Sequence, residues 1–93
     1  MNCQEIKQAE QLLMKGQKCI KVNEFEDALN LFSKGIQIIG DNYISDNIKD
    51  STAFKLILAE TEEKKGNIET AANLKHNTLD TRIALAKQKY ECE

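Results

Sequence analysis

Residues 21–39, KVNEFEDALNLFSKGIQII, decide the fold. Phe25, Ala28, Leu29, Phe32, Gly35, Ile36 and Ile39 recur at three- and four-residue steps, which puts them on one face of a helix; Leu31 and Ile38 form a second stripe beside it. A single helix with two apolar faces and a glycine between them sets the question for the rest of the chain.

Upstream, Ile6, Ala9, Leu13, Gly16 and Ile20, joined by Leu12 and Cys19, predict a first amphipathic helix over about residues 3–22. Asn23, with Glu26 three residues on, has the form of a capping box, so the second helix is expected to begin near Glu24. Gly40-Asp41-Asn42 is expected to end it. The stretch from Tyr43 to Thr52 is polar apart from Tyr43, Ile44 and Ile48, and Ser45 is the expected N-cap of a third helix running to about Lys65. The middle of that helix, Ala53 to Ala59, is apolar nearly all round, which predicts a helix sandwiched between neighbours. Gly66 then stops it, and Asn67 caps a fourth helix with the stripe Ile68, Ala72, Leu79, Ile83, Ala86 and Tyr90. With no proline and only short connections, sequential helices are expected to be antiparallel, and the fold class is all-α.

Ninety-three residues make one domain, spanning 1–93. No apolar run approaches the roughly 18 residues a membrane span needs, which argues against membrane insertion. The start Met1-Asn2-Cys3-Gln4-Glu5 does not resemble a signal peptide, so an intracellular home is expected, cytoplasmic first, with the nucleus open as well. A net charge of −2 with interspersed signs argues against nucleic acid as a partner. Cys3, Cys19 and Cys92 are an odd number without short paired spacing, which predicts three free thiols and neither a disulfide framework nor a zinc site.

The chain also repeats itself. VNEFEDALNLFSKGI at 22–36 aligns with KGNIETAANLKHNTL at 65–79, setting Phe25 over Ile68, Ala28 over Ala71 and Leu31 over Leu74 at an offset of 43. Leu12, Gly16, Phe25, Ala28, Phe32 and Gly35 resemble the tetratricopeptide repeat, in which small residues mark close helix crossings and aromatics fill the space beside them. In the second copy Ala59, Ile68 and Ala71 fit the pattern, while Lys75 stands at an aromatic position and Thr78 at an alanine position.

The resemblance implies antiparallel hairpins stacked as a short right-handed superhelix, with repeat one at about 4–40, repeat two at about 46–80 and a helical extension at about 81–91. It implies that Gly16 and Gly35 let helices one and two approach, and that Leu31 and Ile38 face helix three. A microtubule-interacting-and-trafficking domain is a rival resemblance. It would make residues 1–65 a three-helix bundle and leaves the restart at Gly66-Asn67-Ile68 unexplained.

Catalytic chemistry is not legible. His76, the sole histidine, sits between Lys75 and Asn77 and reads as part of a solvated face, without a second group to orient it as a base. Cys19 reads as a small core residue, Glu60, Glu62 and Glu63 as solvated surface, and the four scattered glycines make no phosphate loop. Lys15, Lys18 and Lys21 read as a solvated face, or else as a dock for an acidic partner. No catalytic residue, metal or cofactor is expected.

The resemblance implies instead an adaptor or complex subunit that binds a partner peptide or helix in a groove lined by the first helix of each pair. On helix one the expected lining is Glu10, Leu13, Gln17, Ile20 and Lys21; on helix three it is Ala53, Leu56, Glu60, Glu63 and Lys64. The last helix, through Leu79, Ile83, Ala86 and Tyr90, is expected either to cap the stack or to dock on a larger assembly. A bundle that self-associates through Ile83, Ala86 and Tyr90 is the alternative.

Overall fold

The computed structural model describes residues 3–40 and 46–92. It is all-helical, with α1 at Cys3–Lys21, α2 at Phe25–Ile38, α3 at Asp46–Lys64 and α4 at Ile68–Lys89. The expected cap at Ser45 and the end of helix two at Asp41-Asn42 fall outside the described residues.

The internal repeat is a repeat of turn geometry. Asn23 and Gly66, 43 residues apart, both take positive φ, 62° and 89°. In the first turn the N–H of Asn23 donates to Ile20 O, that of Glu24 to Cys19 O and that of Ala28 to Glu24 O; in the second, Gly66 donates to Glu63 O, Asn67 to Glu62 O and Ala71 to Asn67 O. Each bond of one turn is the other's shifted by 43, and the first two of each set form the motif that closes a helix on a left-handed residue. Asn23 therefore ends α1 and does not begin α2. The N-cap is Glu24, with no side-chain capping bond, so the expected capping box is replaced by a C-terminal stop. Glu91, with φ 54° and Cys92 N–H donating to Lys87 O, closes α4 in the same way.

Two antiparallel hairpins result, α1–α2 and α3–α4, but the second docks through its second helix. α4 packs on α1, α2 and α3, whereas α3 packs on α4. Between α2 and α4, Lys75 Nζ donates to Ser33 Oγ at 2.8 Å, and the rings of Phe32 and His76 meet edge to face at 5.4 Å. Both pairings keep nearly the same offset, so α2 and α4 run parallel. Glu10 to Lys87, 2.6 Å apart, and Gln17 to His76 set α1 antiparallel to α4.

The core joins Ile6, Ala9 and Leu13 of α1, Ala28, Leu29 and Phe32 of α2 with Ile39 just beyond it, and Ala71, Ala72, Leu79, Ile83 and Ala86 of α4. The three helices around this core are thus α1, α2 and α4, which does not match the rival arrangement of a bundle made by residues 1–65. The expected packing of Leu31 and Ile38 on helix three is also corrected: α2 packs on α1 and α4, and Gly35 faces Leu79 of α4. Gly16 does serve the α1–α2 crossing, where an added Cβ would collide with the ring of Phe32.

Two further ties fix the ends. The chain's one arginine, Arg82, is buried and donates from Nε and Nη2 to Thr52 Oγ1 at 3.1 and 2.9 Å and from Nη1 to Ile39 O at 3.3 Å, joining α4 to α3 and to the end of α2. Cys3 and Cys92 form a disulfide, with Cα atoms 5.6 Å apart across a separation of 89 residues. The expectation of three free thiols is overturned because α1 and α4 are antiparallel, which brings the chain's ends side by side. Cys19 alone is free, and it packs partly buried on the core.

Candidate interaction surfaces

α3 is the outermost helix, and its sequence explains what it exposes. Thr52 and Ala59 are buried, and Ala53, Lys55, Leu56 and Glu62 are partly covered. At 100° per residue the opposite side carries Phe54, Ile57, Leu58 and Thr61. Phe54 is 63 % exposed, Ile57 62 % and Leu58 38 %. A helix apolar nearly all round was expected to be sandwiched; here one side is covered by α4 and the other carries large apolar side chains into solvent. Burying one such side chain fully gains about 1.5–3 kcal/mol, so this stripe is where association would release most. Met14 and Val22 are exposed too, but singly, and scattered apolar residues need no explanation.

The expected groove residues divide into two places. On α1, Leu13 belongs to the core and Glu10 is held by Lys87, while Gln17, Ile20 and Lys21 line a cleft of about 420 Å³ with Asn73 and His76 of α4. On α3, Glu60, Glu63 and Lys64 line a separate shallow depression of about 340 Å³, with Leu56 half-buried nearby. α4 stands between α1 and α3, so the two sets do not line one groove.

The α1–α4 cleft is polar at its mouth. Gln17 Nε2 lies 2.9 Å from His76 Nε2, and the imidazole's Nδ1 lies 3.4 Å from Asn77 Oδ1. His76 is therefore half-buried against Phe32 and Gln17, where a solvated face was expected. Among the described residues no group of three or more His, Cys, Asp or Glu side chains is placed to hold a metal ion.

Leu79, Ile83 and Ala86 lie in the core against α1 and α2, and Tyr90 packs partly buried beside them. That stripe covers the first hairpin from within, which leaves Tyr90 alone with a side chain partly open to a partner. Self-association through Ile83 and Ala86 would require taking the core apart.

Sequence reasoning missed the outward stripe of α3 and the placement of Asn73 and His76. The apolar middle of α3 signalled contacts on several sides, but not that one side would stay open. No protein-family model, curated protein or solved structure matches this chain. No helix among the described residues is long and apolar enough to cross a membrane.

Proposed function

We propose that this chain is a protein–protein interaction module, a small adaptor or assembly subunit that binds a partner peptide or helix, in keeping with its resemblance to tetratricopeptide repeats. The observation that carries the reading is the outward face of α3, where Phe54, Ile57 and Leu58 stand in solvent on a helix otherwise anchored by Thr52 and Ala59. A partner helix laid along this stripe would bury its apolar anchors at one- and two-turn spacing, the usual form of helix recognition. The mechanism is binding, not catalysis. Of intracellular settings, the Cys3–Cys92 bond favours an oxidising compartment over the reducing cytosol.

Crosslinking mass spectrometry on the protein captured from its native source tests this. Lys55 and Lys64 flank the α3 stripe, Lys21 lines the α1–α4 cleft, and Lys87 and Lys89 lie at the end of α4. Crosslinks from Lys55 and Lys64 to one recurring protein are expected. Links confined to Lys87 and Lys89, with Lys55 and Lys64 silent, would contradict the reading.

A further inference from the structure

The charges beside the α3 stripe say which partner fits it. Lys55 and Glu62 are seven residues apart, so they lie on the same flank of the helix, about 10 Å apart along its axis. Both are half-buried at the edge of the stripe. Among the described residues Lys55 has no ion-pair partner in its own chain. Glu62 accepts from Asn67 Nδ2 at 2.6 Å through Oε2, while its Oε1 stands 3.9 Å from Lys65 Nζ, a loose contact that leaves this oxygen open.

Resting on the interaction reading above, we propose that the occupant of this stripe is a second copy of the chain, its α3 laid antiparallel across a two-fold axis near Leu58. In that arrangement each flank meets its own counterpart in reverse order. Lys55 then faces the second copy's Glu62, and the pair forms twice, once on each side of the axis. The same register sets Phe54 against Thr61 of the second copy and Leu58 against its own counterpart, with Ile57 one residue from the axis, so all three exposed anchors are covered. A parallel pairing would instead bring one flank against the other and set Ile57 beside Glu62, an apolar side chain against an acid. Self-complementarity of this kind is what an isologous interface demands. The contact is one helix wide, below the size of standard stable interfaces, so the dimer is expected to be weak and concentration-dependent.

Sedimentation equilibrium of the full, disulfide-bonded chain over a wide concentration range tests the pairing. The wild type should show reversible monomer–dimer exchange. Lys55→Glu should weaken the dimer about tenfold or more, since both symmetric pairs become like-charged, and Glu62→Lys should do the same. The double variant, with the charges exchanged, should recover most of the wild-type affinity. Phe54→Glu, at a site already exposed, should abolish dimerisation while circular dichroism shows the helices intact. A double variant no better than either single one overturns the antiparallel register. A chain monomeric at every concentration overturns the second copy as occupant, but not the interaction reading, if Lys55 and Lys64 still crosslink to another protein. If those lysines are silent as well, both fall.

Discussion

Gly35 stands so close to Leu79 that a Cβ on it would lie 2.6 Å from the leucine's Cδ2. The contact joins α2 to α4 and not α2 to α1, and so answers why one helix carries two apolar faces with a glycine between them. Phe32 meets α1 at Gly16 and α4 at His76, while Gly35 receives α4 through Leu79. At the equivalent place in the second hairpin stands Thr78, fully buried, its Oγ1 donating to Leu74 O at 3.1 Å.

The two glycines should respond differently to alanine. Replacing a helical glycine gains up to about 1 kcal/mol of propensity, against which overpacking costs about 1–3 kcal/mol. At Gly16 the obstacle is the ring of Phe32, fully buried and unable to yield, so Gly16→Ala should destabilise clearly. At Gly35 the obstacle is the end of Leu79, as deeply buried but a flexible branch where Phe32 presents a rigid ring, so Gly35→Ala should lose less. Urea unfolding of both variants checks this; a stabilised Gly16→Ala would show that α1 and α2 are not so close.

Reduction of Cys3–Cys92 should lower stability by about 4 to 5 kcal/mol if the loss of loop-closure entropy in the unfolded chain is fully expressed, given the 89-residue separation. Thermal unfolding with and without reductant measures it. Cys3→Ser should behave like the reduced protein and be indifferent to reductant, while Cys19→Ser should keep the reductant response. Equal melting temperatures in both conditions would mean the bond is not formed.

Thr52→Val preserves shape but removes the oxygen that accepts from both Nε and Nη2 of buried Arg82. Losing this buried acceptor should cost about 1–3 kcal/mol. Because the bond joins α3 to α4, hydrogen exchange should accelerate most in α3. Uniform acceleration across all four helices would place this bond in the common core instead.

Much of the fold was legible because turns are local chemistry. Gly66 stops α3 as expected, and the offset of 43 proves to be a repeat of hydrogen bonds as well as of letters. Asn23 misled because asparagine serves both as an N-cap and in the left-handed position that ends a helix; which role it takes depends on a single φ. The seating of the hairpins was not legible. α3 and α4 both carry apolar residues on several sides, so periodicity could not decide which would enter the groove between α1 and α2. Of the residues expected to line one groove, Gln17, Ile20 and Lys21 line a cleft between α1 and α4, whereas Glu60, Glu63 and Lys64 lie elsewhere because α4 intervenes. Cys3 pairing with Cys92 and Arg82 reaching Thr52 are contacts of tertiary structure that no spacing announces.

That the open side of α3 is a binding surface is tested most directly with the double variant Phe54→Glu, Ile57→Glu, both sites more than half exposed. Crosslinking on the variant recovered from its native source, beside thermal unfolding of the purified chain, should show partner links from Lys55 and Lys64 lost while the melting temperature stays near that of the wild type. Undiminished links from those lysines, with the fold intact, would show that partners are held elsewhere and that the stripe does not bind them.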